Sequence, residues 1–201
     1  MTVQPWKPTK RQLLAAEGKT VRDVIAPGLL VLFAGINPGL YTAAVGHHFA
    51  RPGNRFWPAL FAAGFTERLL SPFEERELLK NGYGITNVVA RATASADVLT
   101  KEELIAGGLK LKAKVQRYQP AILAVLGLGA FRTGFQQPKA RIGRQEIKIG
   151  NTVVWVLPNP SGLNANYQRP ELVRLFSELR LAAIAINAEN NATGSGRQRG
   201  A

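Results

Sequence analysis

The chain runs to 201 residues, 46% of them hydrophobic, enough for one substantial core with short tails. It contains no cysteine, which excludes disulfides, iron–sulfur clusters and thiolate zinc sites and fits a reducing compartment. No run approaches the ~18 uninterrupted apolar residues needed to cross a bilayer, and the net charge of +13, from 26 Lys+Arg against 13 Asp+Glu, favours a polyanionic partner.

The charge is unevenly spread. Nine lysines and arginines stand between Leu104 and Lys148 against one acid, Glu146, so we expect a phosphate-facing surface there. No segment is a basic amphipathic helix with an aromatic face, which favours nucleic acid over a membrane.

Residues 1–24 are polar and basic with one tryptophan, Trp6, and read as a flexible arm with some helix between Lys10 and Gly18. No apolar run follows Met1 to Lys10, so no signal peptide is expected. Leu29 to Phe33 read as a buried central strand that stops at Gly35-Ile-Asn-Pro-Gly39. Proline cannot donate to a sheet ladder and the glycines allow close backbone approach, so Asn37 is held in a rigid turn at a strand's carboxyl end, where open α/β sheets bind ligands. A long loop, Leu40 to Gly53, follows and carries His47-His48-Phe49.

Asn54 is expected to cap a helix whose buried stripe is Phe56, Leu60 and Phe61. Ser71-Pro-Phe-Glu74 is a capping box opening a helix to about Lys80. Tyr83 to Val89 read as a short strand, and a loop follows from Ala90 to Leu99. Thr100-Lys-Glu-Glu103 caps a helix to about Tyr118, Ala121 to Leu126 form a second buried strand, and a short helix reaches Phe135. Glu146 to Ile149, the turn Gly150-Asn151 and Thr152 to Leu157 read as a hairpin. It ends in Pro158-Asn-Pro-Ser-Gly-Leu-Asn164 before a final helix from Pro170 to about Ile186. The Asn, Gly, Ser, Arg and Gln from Asn187 onward read as a disordered tail.

This order predicts an α/β fold of three layers: a mostly parallel central sheet, helices on both faces and a β-hairpin at the edge, spanning residues 25–186. Right-handed crossovers would gather Asn37, Asn87 and Asn159 at one edge. Gly127-Leu-Gly129 lacks the third glycine of a dinucleotide fingerprint, since residue 132 is Arg, and no glycine loop carries a Gly-Lys-Ser/Thr, so a generic nucleotide-binding protein is disfavoured. Adjacent His47 and His48 point opposite ways in extended chain and read as surface or loop residues, and no metal or cofactor is expected.

Three stretches in this order, Gly35-Ile-Asn-Pro-Gly39, Phe49-Ala-Arg-Pro-Gly-Asn-Arg-Phe-Trp57 and Asn159-Pro-Ser-Gly-Leu163, with Gly84-Ile-Thr-Asn87 and Arg91-Ala-Thr93 between them, resemble the mismatch-specific uracil-DNA glycosylases of the uracil-DNA glycosylase superfamily. The resemblance covers about Ile25 to Ala182. It implies a uracil-DNA glycosylase-like fold and hydrolysis of the N-glycosidic bond of uracil or thymine mispaired with guanine, on a base taken out of the stack. It makes Asn37 the residue that positions water. A carboxamide orients water but hardly deprotonates it, which suits a dissociative reaction.

By the same resemblance Phe49 stacks on the everted base and the amide of Ile36 binds the base's carbonyl oxygens. Asn87 takes a minor pocket or phosphate role. Leu163 is the apolar wedge between base pairs, on a loop running from Asn159, with Gly162 and Asn164 facing the widowed guanine. Commoner members carry serine at Asn164 and arginine at Ala165, and without that arginine a strict guanine preference is not implied. Asp97, the one aspartate after Asp23, is either a helix-entry residue before Thr100 or a catalytic base that supplements Asn37 and widens substrate range.

No lysine is placed by motif as a nucleophile, so a monofunctional enzyme leaving an abasic site is expected. Its partner would be duplex DNA with mispaired uracil or thymine, and the protein a cytoplasmic monomer, nucleoid-associated if bacterial. Two alternatives stand beside this reading. One is a broad uracil glycosylase acting also on U:A and single strands; the other is a non-catalytic binder of mismatched or damaged DNA.

Overall fold

The computed structural model describes residues 7–162, 164 and 166–197. Its centre is a five-stranded sheet of β1 (Val31–Gly35), β2 (Tyr83–Asn87), β3 (Ile122–Leu126), β4 (Gly143–Ile149) and β5 (Thr152–Leu157), in the order β2-β1-β3-β5-β4. The first four of these neighbours are parallel; only β4 runs antiparallel, as the edge of the β4–β5 hairpin. The expected α/β architecture, with its parallel sheet, flanking helices and hairpin edge, is the one observed.

Strand period explains how one sheet serves two cores. Side chains alternate across a strand, so Val31 and Phe33 of β1 enter one core while Leu32 and Ala34 enter the other. Likewise Ile122 and Ala124 oppose Leu123 and Val125, and Trp155 opposes Val154 and Val156. Because both faces are covered, the strands read as continuous apolar runs. The first face carries α3 (Phe56–Ala62) and α6 (Arg169–Arg197), and the second carries α4 (Lys101–Tyr118) and α5 (Leu128–Gly134). Phe33 is the aromatic hub of the first core, 5.5 Å from Phe56 and from Phe65 and 6.1 Å from Phe176 between ring centroids. The edge strand β4 turns Arg144, Glu146 and Lys148 to solvent, which discourages a further strand from pairing there.

Several elements differ from the sequence reading. Leu40 to Val45, expected within a loop, form helix α2, begun at Gly39 and stopped by left-handed Gly46. Ala43 packs with Ala16 and Ala92 in a third cluster, against which Val21, Leu40 and Ala44 lie. Residues Pro72–Asn81 form a helix of 3₁₀ type, with the expected Ser71–Glu74 capping box.

Helix α3 starts one residue later than expected, with Arg55 at the capping position, although Asn54 Oδ1 still accepts from Phe56 N. Phe61 is exposed, and Trp57 and Ala59 are buried with Phe56 and Leu60 in its place. Strand β2 ends at Asn87, while Val88 and Val89 go on donating to the carbonyls of Gly35 and Ile36 as the chain leaves the sheet.

The segment expected as a flexible arm contacts the domain. Helix α1 (Lys10–Leu14) has a Thr9–Gln12 capping box, Gly18 and Lys19 exchange backbone hydrogen bonds with Ala92, and Val24 bridges Ile85 on the free edge of β2. At the other end α6 continues past Ile186 to Arg197, since propagation adds a hydrogen bond for each residue fixed on an already formed helix; residues 198–201 of the expected tail lie outside the described residues. Among the described residues no helix is long and apolar enough to cross a membrane.

Candidate active site

The carboxyl ends of β1, β2 and β5 lie at one edge of the sheet, with β1 and β3 flanking the point where the crossovers change direction. A cavity of about 310 Å³ opens there. Ile36, Asn37, Phe49, Asn87 and Asp97 line it together with Asn159 and Asn164, so seven of the nine residues expected from sequence meet in one place. Gly162 stands behind them against Gly53, and Leu163 lies outside the described residues.

The Asn37 amide is fixed in one orientation. Its Nδ2 donates to the carbonyls of Arg91 (3.1 Å) and Pro38 (3.3 Å) and to Thr93 Oγ1 (2.7 Å). Carbonyls only accept, and the Thr93 hydroxyl proton is already given to the Ser95 carbonyl at 2.7 Å. Nitrogen must therefore face the 91–95 loop, and Oδ1 accepts no hydrogen bond from the described residues. The side chain presents a single acceptor, held by a rigid turn at a cavity wall. That is a geometry for orienting a water or a hydroxyl.

Phe49 is the second fixed point. Its φ of 55° is rare for a bulky residue and costs free energy that surrounding contacts must offset. Phe56 backs its ring at 4.1 Å and 22°, which ties it to the Phe33 hub. Glu75 holds the preceding residues. This buried carboxylate accepts from His48 N (2.7 Å) and meets His47 Nδ1 at 3.0 Å. His48, expected at the surface or in a loop, is in a loop but buried. Its Nε2 faces the Arg22 carbonyl at 3.1 Å, so that nitrogen carries the proton, and burial lowers its pKa. Gly35 completes the wall: a Cβ there would stand 2.6 Å from Asn87 Oδ1 and 3.4 Å from Phe49 Cζ. The glycine thus lets an amide and a ring converge over the strand end.

Asp97 is exposed at the cavity rim, where Ser95 Oγ lies 3.1 Å from its carboxylate. It precedes the Thr100 cap by one short turn and also lines the cavity. The loop that carries Ser95 and Thr93 is anchored by Arg91, whose guanidinium forms a two-pronged ion pair with Glu103. That hydrogen bond, aided by the backbone at Thr100, holds the Glu103 carboxyl at about 2, below its ordinary 4.5. A depressed carboxyl contributes stability that is present above 4.5 and lost as pH falls toward 2. We therefore expect the melting-temperature advantage of wild type over Glu103→Gln to be full near pH 7 and to close between pH 4.5 and 2. Thermal melts across that range check it.

The Pro158–Gln168 loop is seated on the Gly53–Arg55 turn. Arg55 donates from Nη1 to Tyr167 O (2.6 Å) and from Nη2 to Ser161 O (2.5 Å) and Asn164 O (2.9 Å), while its backbone N reaches Pro160 O at 3.0 Å. Asn159 Oδ1 accepts from Ser161 N, and Asn164 Nδ2 donates to Asn159 O. An adjoining cavity of about 770 Å³ shares Ile36, Asp97, Asn159 and Asn164. Its charged lining residues, Asp97 and Glu171, are both acids, so it is the less suited of the two to a phosphate.

Thr93, Glu75, His48 and Arg55 all support the site and had no sequence role assigned. Thr93 and Arg55 stood inside quoted motifs, whereas nothing in the sequence pairs Glu75 with a loop 27 residues away. The basic stretch divides between the two edges of the sheet, since Arg144 pairs with Trp155 near the carboxyl end of β5. Helix α4 must return from the end of β2 to the start of β3, so Lys110 to Arg117 point toward the far edge of the sheet. Lys114 binds Asp23 (2.5 Å) and Thr86 (2.8 Å), and Lys112 sits over the Phe135 ring at 5.3 Å. The cation that lines the smaller cavity is Arg51. Among the described residues no three His, Asp or Glu side chains gather as a metal site. Residues 23–180 match the family model of the uracil DNA glycosylase superfamily.

Proposed function

Because the chain belongs to the uracil DNA glycosylase superfamily, we propose that it hydrolyses the N-glycosidic bond of uracil, and of thymine, mispaired with guanine in duplex DNA, and leaves an abasic site. The observation that carries this reading is the Asn37 amide, whose Nδ2 is committed to the Arg91 carbonyl and Thr93 Oγ1 so that Oδ1 remains as the acceptor, at a cavity that Phe49 also lines. The everted base stacks on Phe49, and backbone N–H groups near Ile36 meet its carbonyl oxygens. The C1′–N1 bond breaks first, its electron pair leaving with the pyrimidine as an anion that preorganised donors stabilise. Water held by Asn37 Oδ1 then bonds to C1′, leaving a hydroxyl there, and its proton passes through solvent to the pyrimidine anion, which departs as the neutral base.

No lysine lines the cavity among the described residues, which supports a monofunctional enzyme without a Schiff base. Residues Asn159 to Asn164 enter the space vacated by the nucleotide, with Leu163 as the wedge. The carboxylate of Asp97 at the rim favours one second reading, a broader uracil glycosylase in which Asp97 receives the water's proton.

Single-turnover excision from U:G, T:G and U:A duplexes and from single strands, read by alkaline strand scission, separates these readings. The mismatch reading expects U:G first and little cleavage of U:A or single strands; equal cleavage of all would favour the broad enzyme. If Asp97 receives the proton, Asp97→Ala slows excision by about ten-fold or more, and an unchanged rate removes it from the chemistry. No scission of any substrate leaves a non-catalytic DNA binder.

A further inference from the structure

We infer that Arg55 is a positioning residue that clamps the 159–167 loop into the shape that enters a duplex. It therefore governs extrusion of the base rather than cleavage of the bond. The inference rests on the proposed role of that loop as the wedge.

The described residues of the loop between β5 and α6 form no helix or strand, and such a segment normally pays its ordering entropy when it binds. Here the ordering is supplied in advance. The Arg55 guanidinium reaches four carbonyls, those of Pro160, Ser161, Asn164 and Tyr167, and its backbone N–H takes a second bond to Pro160. A planar fork with five donors suits such a convergence, and a lysine ammonium does not. No acid among the described residues pairs with it, so its charge is met by carbonyl dipoles from the loop alone. A Cβ at Gly162 would stand 2.5 Å from Gly53 O, so the loop backbone lies directly on the turn that leads to Arg55. Among the hydrogen bonds of the described residues none joins Asn37 or Phe49 to Arg55; their supports are the 91–95 loop and Glu75. Loss of the clamp should therefore spare the chemistry.

The test uses the full chain and two variants, Arg55→Met and Arg55→Lys. One substrate pairs uracil with guanine. A second places uracil opposite an abasic site, where little pairing has to be broken. A third carries 2′-fluoro-2′-deoxyuridine, which resists cleavage, beside 2-aminopurine, whose fluorescence rises when its neighbour leaves the stack. Arg55→Met is expected to slow U:G excision about ten-fold or more, a loss that scales with the hydrogen bonds to a charged group, and to abolish most of the fluorescence rise. Excision opposite the abasic site should change by no more than about three-fold, with Arg55→Lys intermediate on U:G.

Equal losses on both cleavable substrates, or no loss on either, would overturn the inference. If Arg55→Met does not fold, Arg55→Lys, which keeps the charge and loses the fork, must show the same split in lesser degree or the inference falls. A wild-type protein that extrudes and excises beside a variant that does both equally well sinks only this inference. A wild type that does neither sinks the proposed function and this with it.

Discussion

Replacing Asn37 with alanine is expected to slow single-turnover excision by about 10²–10⁴-fold, the range seen when one positioned group that handles a reacting proton or water is removed. Affinity for an uncleavable duplex should stay within about three-fold, because the lost interaction is made in the transition state and not in binding. Asn37→Asp is not a conservative repair. It would set a carboxylate oxygen against the Arg91 and Pro38 carbonyls, where the amide now donates. We expect it to be as slow as alanine and less stable. The same network predicts a graded effect at Thr93. Thr93→Ser keeps the hydroxyl that accepts from Nδ2 and should be near wild type, whereas Thr93→Val removes it and should cost about ten-fold through loosened positioning. Rapid-quench excision beside fluorescence anisotropy separates rate from binding. An Asn37→Ala protein within about ten-fold of wild type would remove Asn37 from the chemistry.

The largest effect on stability is expected at Gly108→Ala. On α4 a Cβ at Gly108 would overlap the Gly134 carbonyl oxygen and stand 2.6 Å from its carbon, while one at Gly107 would stand 2.5 Å from Val88 O. From the other side a Cβ at Gly134 would meet Leu104 O at 2.8 Å. The partner atoms are backbone, so no rotamer change relieves the clash. Overpacking costs about 1–3 kcal/mol and occasionally more, and in a domain of this size each kcal/mol moves the midpoint by about 2–4 °C. A fall of about 10 °C, or failure to fold, is therefore expected on those scales. Gly129→Ala, with open space around its Cβ position, is the control and should leave the midpoint within about 1–2 °C. Differential scanning calorimetry of the two variants decides it. Because α4 follows directly on the loop bearing Ser95 and Asp97, a folded Gly108→Ala protein should also lose activity.

The features that repeat locally were legible from residues alone. Apolar runs at Leu29–Phe33 and Ala121–Leu126 pointed to strands, which the fold sets at Val31–Gly35 and Ile122–Leu126, and capping boxes at Ser71 and Thr100 gave helix starts. Gly150-Asn151 gave the hairpin. Each of these rests on chemistry within a few residues. The three asparagines at strand ends were also legible, because right-handed crossovers leave parallel strands with a common carboxyl edge. Phe61 was misjudged because α3 carries apolar residues on more of its surface than the sheet can cover, and sequence spacing does not say which side turns inward. Which part of the basic stretch reaches the edge of the site was not legible, because charge count along a chain says nothing of where a crossover helix carries it.

What the sequence determined by itself is the α/β layout, the edge on which the site lies and the identity of Asn37 and Phe49 as its candidates. What only the tertiary structure decided is how those two side chains are held. The amide's orientation depends on Arg91 and Thr93, 54 and 56 residues away. The ring's support comes from Phe56 and, through His48, from Glu75, and the loop's shape from Arg55 more than 100 residues before it. The physical reason is range. Strand period, caps and turns are set by neighbouring residues, whereas a hydrogen bond between a side chain and a distant carbonyl exists only once the chain has closed on itself.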